Sequence, residues 1–325
     1  MSSIEVVGLG ALNIDYLYQV ERILSDGEAV VNEAKSSPGG SAANTIYGLA
    51  KLGVSTGFAG VVGDDAEGKI LLQDFQKVGV DTSQIKIKPK AKTGSVLCLS
   101  DRLGRRSLYV VPGANNLLTT DDLDLDYTNQ AKLLHVSSFA DDRQFKVSLE
   151  LIDKLDSSIK LTFAPGALYA TKGLKALNPI LGRTYLLFIN QNEIRQLTGE
   201  DVIAGAESCL RQGCHIVVVT LGKGMKLELG KGTVTATGYI KNTEGEYAIE
   251  PSSLNIASEV DTTGAGDAFA AGFLYGLLKG KDLEECGRLG DITACFAITK
   301  LGTREGFPTP AELAHRYQEL YSQQL

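Results

Sequence analysis

Residues 259–280 read EVDTTGAGDAFAAGFLYGLLKG, and the residue types there are suited to chemistry at a helix start. Gly264, Ala265 and Gly266 stand directly before Asp267. Glycines at 264 and 266 let the backbone turn sharply and approach a ligand closely. The apolar run from Asp267 to about Gly280 predicts a helix. A helix N-terminus carries unsatisfied N–H donors and a partial positive charge. Gly264, Ala265 and Gly266 therefore read as a nest of amides for a phosphoryl oxygen. A carboxylate facing that anion would repel it, unless its task is to take a proton from an attacking hydroxyl. Donors where charge accumulates, with a base on the nucleophile, are what phosphoryl transfer to an alcohol requires.

The elements that must position these groups alternate along the chain. Strand-like runs cover residues 4–10, 55–65, 131–139, 159–165, 184–190 and 215–222. Helical spacing covers 40–53, 65–79, 142–157, 173–181, 191–198 and 202–211, with Asp65 as an N-cap and Gly53 and Gly79 as stops. This alternation predicts an α/β fold with parallel βαβ units covered on both faces. Residues 15–37 and 94–112 break the rhythm and read as hairpins. They predict a small separate sheet, a lid inserted into one domain spanning 1–325.

Composition narrows the classes. The chain has 325 residues, 43% of them hydrophobic, enough for a large core, and a net charge of −7 that offers no surface to nucleic acid. Five cysteines lack CxxC spacing, which predicts reduced thiols in the cytoplasm and no zinc site. The opening SSIEVVGLG reads as a strand and not as a signal peptide. No stretch approaches about 18 uninterrupted apolar residues, so no membrane association is expected.

With these residues in view, the chain resembles the ribokinase/PfkB family of carbohydrate and nucleoside kinases. Asp261-Thr262-Thr263-Gly264-Ala265-Gly266-Asp267 is similar to the family's D-T-x-G-A-G-D signature, and the pattern runs from GALNID to KLGTREGFPTP. The resemblance implies a ribokinase-like three-layer α/β/α domain with a mostly parallel sheet and a small β-sheet lid. It implies Asp267 as general base, with Gly264, Ala265 and Gly266 forming an anion hole. INQNEIRQLTG (189–199) resembles the N-x-x-E motif, which implies Asn190 on the nucleotide side and Glu193 orienting water on Mg²⁺. VVVTLGKGM (217–225) implies Thr220, Gly222, Lys223 and Gly224 along the nucleotide. Asn13 and Asp15 in GLGALNIDYLY, with Gly39, Gly40 and Asn44 in SPGGSAANT, are implied to hold substrate hydroxyls. Ribokinases proper carry a lysine after the glycine pair. Ser41 stands there in this chain, closer to fructokinase-like and nucleoside-kinase members.

The function so implied is ATP-dependent phosphorylation of a primary hydroxyl of a sugar, with ATP and Mg²⁺. A nucleoside kinase of the same family is the alternative. Tyr16, Tyr18 and Phe139 are candidates to stack on a purine or to form lid core, and Arg105 and Arg106 to meet a charged substrate or solvent. His135, His215 and His315 share no ligand spacing. Two readings come from other classes. Gly8-Leu9-Gly10 fits a dinucleotide-dependent oxidoreductase, but Asn13 stands where that motif has its third glycine. A non-catalytic sugar-binding protein would not need both Asp267 and Glu193. No G-x-x-x-x-G-K-[ST] sequence is present, so this is not a P-loop enzyme. Lid strands with a free edge leave a homodimer open.

Overall fold

The computed structural model describes residues 4–102, 105–230, 232–252 and 260–325. The chain begins β1 (Val6–Leu9), β2 (Asn13–Val20), β3 (Val31–Gly39), α1 (Ser41–Lys51), β4 (Thr56–Gly63), α2 (Ala66–Lys77) and β5 (Ile85–Lys88). It continues through β6 (Gly94–Asp101), β7 (Arg106–Val111), α3 (Leu125–Thr128), β8 (Leu133–Ser137), α4 (Asp142–Lys154) and β9 (Lys160–Ala164). Then follow α5 (Gly166–Ala170), α6 (Gly173–Leu181), β10 (Thr184–Asn190), α7 (Gln191–Thr198) and α8 (Val202–Arg211). The last elements are β11 (Ile216–Leu229), β12 (Gly232–Asn242), β13 (Glu246–Ile249), α9 (Ala265–Leu278), α10 (Leu283–Ala297) and α11 (Pro310–Tyr321).

Among the described residues nine strands form the main sheet, in the order β13-β12-β11-β10-β9-β8-β1-β4-β5. From β11 to β5 every pairing is parallel, and only the β11–β12 and β12–β13 pairings are antiparallel. All residues of β1, β4 and β8 are buried, as they must be in a sheet covered on both faces. One apolar layer joins the sheet to α1, α2, α9, α10 and α11. The other joins it to α4 through α8. The architecture is therefore helix, sheet, helix.

A second sheet has the order β3-β2-β6-β7. The two predicted hairpins are its halves, β2 with β3 and β6 with β7, both antiparallel, joined by a parallel β2–β6 pair. Leu103 and Gly104 of the second hairpin lie outside the described residues. Gly8-Leu9-Gly10, at the end of β1, leads into β2 of this small sheet and not into a helix. That removes the structural premise of a dinucleotide fingerprint.

Two sequence expectations are corrected. The strand expected at 215–222 runs on to Leu229 and folds back as β12 and β13, two strands that helix–strand alternation did not reveal. The helix expected to start at Asp267 starts two residues earlier, because Gly264 adopts φ 80° and ends the preceding turn. This helix, α9, is buried on every side from Ala268 to Gly276. A side chain at Gly272 would collide with Thr293 and the Leu289 carbonyl of α10, so the glycine sets how closely the two helices pack. Among the described residues no helix is long and apolar enough to cross a membrane.

Candidate active site

Asp267 is the third residue of α9, and its carboxylate lies against α1 at the helix start. Ser41 Oγ donates to Asp267 Oδ1 at 2.7 Å, and Asn44 Nδ2 donates to Asp267 Oδ2 at 2.8 Å. Thr45 Oγ1 donates to the Asp267 carbonyl at 3.3 Å, which ties the same turn of α1 to the backbone. Enclosure from bulk solvent pushes the Asp267 carboxyl up to about 6; the Asn44 and Ser41 donors oppose the rise, and the charge on Glu193 adds to it. A base with such a value is ionised near neutral pH yet still takes a proton readily.

Gly264 is the N-cap, in a left-handed conformation that disfavours any side chain. Ala265 N donates to Thr262 O at 3.3 Å, so one of the three expected anion-hole amides is occupied within the turn. Gly266 is exposed, and a Cβ there would meet open space. The first-turn amides of Gly266 and Asp267 lack intrahelical acceptors by the geometry of any helix start.

That open space is a cleft of about 460 Å³ including its mouth, lined by Ser41, Asn190, Glu193, Thr220, Gly266 and Asp267. Asn190 and Glu193 enter it as a capping box. Asn190 Oδ1 accepts from the N–H groups of Asn192 and Glu193, each at 2.9 Å, and Glu193 Oε2 accepts from Asn190 N at 3.1 Å. Burial pushes the Glu193 carboxyl up, and the bonds from Asn190 pull it back. No group of three or more His, Cys, Asp or Glu side chains clusters among the described residues as a metal cage. One carboxylate beside open space fits Mg²⁺, which is held by one or two carboxylates, waters and substrate phosphates.

Thr220 pairs with Asn190 across β10 and β11, which brings it to the cleft. The glycine turn beyond it is a bulge inside β11, where the register against β12 slips between Thr220 and Met225. Gly222 and Gly224 take φ values of 63° and 107° there, and Gly222 and Lys223 are exposed. These three residues sit past the end of the cleft wall that Thr220 completes.

On the other side of Asp267, the small sheet supplies Asn13 and Asp15. Asp15 is buried, its Oδ1 has no hydrogen-bond partner, and its carboxyl is pushed up to about 7 by burial, with Arg304 opposing and Asp267 and Asp261 adding. Its oxygens lie against Gly39 so closely that any side chain at 39 would overlap them. Gly40, at φ 103°, packs on the Ala11 carbonyl and caps α1. Asn13 Oδ1 accepts from Asn115 Nδ2 at 2.9 Å. The helix position that brings Asn44 to Asp267 also places its Oδ1 as acceptor for Arg304 Nε at 2.9 Å.

Sequence reasoning missed Asn115 and Arg304, and treated Ser41 only as a departure from a pattern. Asn115 sits in a short 3-10 turn (Gly113–Leu117) that no helical spacing marks. Arg304 offered one signal, a lone arginine within the glycine-rich stretch LGTREGFP. Under the small sheet a second cavity is lined by Leu17, Tyr18, Cys98, Ser100, Arg106 and Thr263, among others. Arg106 Nη1 donates to Thr263 Oγ1 at 3.2 Å, and Arg105 is paired with Asp101. Phe139, considered for stacking, is buried in the core beside the main sheet, and Tyr16 packs on the opposite core layer. Tyr18 alone of the three lines this cavity.

A family model described as pfkB family carbohydrate kinase matches residues 3–310. An uncharacterised sugar kinase of Archaeoglobus fulgidus is 39% identical over 264 residues, 80% of this chain and 98% of that protein. The structure of Burkholderia thailandensis nucleoside kinase in complex with inosine matches with a TM-score of 0.80 at 20% identity, covering 98% of this chain and 100% of the other. Arabidopsis thaliana ribokinase complexed with ribose and ATP matches with a TM-score of 0.78 at 23% identity, covering 97% and 98%. These two structures share the fold.

Proposed function

Because the chain belongs to the PfkB family of sugar and nucleoside kinases and is thus an ATP-dependent phosphotransferase, we propose that its acceptor is a sugar and that Asp267 deprotonates the attacking hydroxyl. The observation that carries this reading is the placement of Asp267, held by Ser41 and Asn44 at the first turn of α9 and facing Glu193 across one cleft.

The acceptor would lie under the small sheet, which acts as a lid. Its hydroxyls would meet Asp15, whose free Oδ1 is an acceptor in need of a donor, together with Asn13 and the backbone at Gly39 and Gly40. Asn44 would act from behind, on Asp267. ATP would extend along the cleft past Asn190 and Thr220 toward the bulge at Gly222, Lys223 and Gly224, at the C-terminal ends of parallel strands. Asp267 takes the proton as the hydroxyl oxygen attacks the γ-phosphorus in line, and the bond to the β-phosphate oxygen breaks. The open amides of Gly266 and Asp267 at the start of α9 would meet the phosphoryl oxygens. Glu193 would hold Mg²⁺ through water, and the ion would supply charge neutralisation at the phosphates. Lid closure keeps water from competing with the acceptor.

Sugar is favoured over nucleoside by the cavity under the lid. Gln19, Ser100, Arg106, Thr262 and Thr263 line it beside apolar Leu17, Cys98, Val260 and Leu301, and among the described residues Tyr18 is its single aromatic side chain. A purine gains most from aromatic faces, whereas a polyol needs polar partners. Free thiols at all five cysteines fit a reducing cytoplasm. The lid's edge strand, β7, leaves Tyr109 and Val111 more than half exposed, at 56% and 58%, which fits pairing with a second copy of the chain.

The test is a coupled assay with ATP and Mg²⁺ against ribose, fructose, adenosine and inosine. Turnover with a sugar above the nucleosides supports the reading. Turnover confined to adenosine or inosine overturns the choice of sugar, and none with any alcohol overturns the assignment of the site.

A further inference from the structure

Arg304 is 3% exposed, with its guanidinium between the rings of Tyr47 and Phe75, 5.2 and 5.0 Å from their centroids. Nη1 donates to Asp74 Oδ2 at 2.7 Å, Nη2 to the Gly39 carbonyl at 3.2 Å, and Nε to Asn44 Oδ1 at 2.9 Å. Asn44 Nδ2 in turn donates to Asp267 Oδ2 at 2.8 Å. The nearby Thr303 hydroxyl lies 3.3 Å from Asn44 Oδ1 but 2.6 Å from the Pro38 carbonyl, so its one proton goes to Pro38.

The Nε–H of Arg304 therefore decides which way the Asn44 amide faces. A guanidinium has donors only, so the amide must turn its oxygen to Arg304 and its nitrogen to Asp267. A flipped amide would set an oxygen against the carboxylate and an NH₂ group against the Nε–H, two repulsive contacts in an enclosed space. The same guanidinium holds the Gly39 carbonyl at the end of β3. One buried side chain thus anchors both the base and the strand end on which the acceptor would rest.

We propose that Arg304 is a positioning residue for phosphoryl transfer, fixing the orientation of Asp267 through the side chain of Asn44. This rests on Asp267 being the base. The charged and titratable groups facing Asp267 are Glu193 from α7, Asp15 from β2 and Arg304 itself, beside the neutral donors Ser41 and Asn44 of α1.

The experiment compares Arg304→Lys, Asn44→Ala and the double variant in steady-state kinetics with the acceptor identified by the screen. Lysine keeps the charge, but its three N–H bonds radiate from one nitrogen and cannot match the planar spread of Nε, Nη1 and Nη2. Arg304→Lys should lower kcat by about a hundredfold, the scale of a misplaced reacting group, while leaving KM for ATP in place. In kcat at saturating acceptor the double variant should be no slower than Asn44→Ala, because the arginine reaches the base through the asparagine, while the lost Gly39 contact shows in KM for the acceptor. Full additivity, or wild-type kcat in folded Arg304→Lys, overturns the proposal. Asn44→Leu gives a check that needs no arginine variant to fold: with Arg304 intact, the acid limb of kcat should move to higher pH as Asp267 loses a donor. An unmoved limb overturns the relay. Absence of turnover in the wild-type protein would instead overturn the kinase site on which the proposal rests.

Discussion

Ser41 gives its hydroxyl proton to Asp267 Oδ1 at 2.7 Å across 226 positions of sequence. The residue following the glycine pair therefore supports the candidate base directly. A neutral hydroxyl there steadies the carboxylate without placing a formal positive charge against it. This contact, together with Asn44, leaves each carboxylate oxygen with one donor and room to accept a proton.

Asp267→Asn removes the proton acceptor while keeping size and most hydrogen-bonding capacity. The expected outcome is a fall in kcat of about a thousandfold, within the usual span for loss of a general base, with KM for ATP little changed. Near wild-type turnover of every acceptor would show that the proton goes elsewhere.

The pH profile carries a second expectation. Asp267 must be ionised to act, and its carboxyl is raised to about 6, so kcat/KM should fall as pH drops through that region. Ser41→Ala deletes a bond that favours the ionised form, so the acid limb should move to higher pH. A limb that stays put in the variant would mean that the serine does not touch the titrating group.

Asp15 makes a stability prediction of defined sign. Its carboxyl rises from 3.8 to about 7 on folding, mainly by burial, so the folded chain binds its proton more tightly than the unfolded chain. Stability from this group is present below pH 3.8 and declines as pH climbs toward 7. Asp15→Asn should therefore raise Tm at pH 8 and leave it nearly unchanged at pH 4, while weakening acceptor binding. Thermal melts at both pH values check it, and equal effects at the two would contradict the burial argument.

Glu193→Gln separates a helix cap from a metal-linked role, because glutamine completes a capping box as glutamate does. The fold should persist while the Mg²⁺ concentration for half-maximal turnover rises about tenfold or more. An unchanged Mg²⁺ titration would leave Glu193 with the cap alone.

Tyr109→Lys and Leu108→Glu place charge on the exposed edge strand of the lid. If two copies pair through that edge, sedimentation should report a dimer for the wild type and a monomer for the double variant. A wild-type monomer at high concentration would remove the dimer.

Much of the site was legible because it is written locally. A helix beginning at a glycine turn announces itself within seven residues, and so does the Asn190–Glu193 box. The strand–helix rhythm gave the parallel sheet, since a βαβ unit needs each element complete in sequence. The β12–β13 hairpin was hidden at the edge, because β11 continues through a bulge that reads as a turn.

What the amino-acid sequence determined by itself is the chemistry available: a carboxylate at a glycine-bounded helix start, a second carboxylate three residues after an asparagine, and an α/β frame to carry them. What tertiary structure alone decided is which groups stand behind that chemistry. Ser41, Asn44 and Arg304 reach Asp267 or its support only because α1, α9 and the loop before α11 pack against one another. A hydrogen bond acts over about 3 Å of space and is indifferent to distance along the chain, so local spacing could not reveal it.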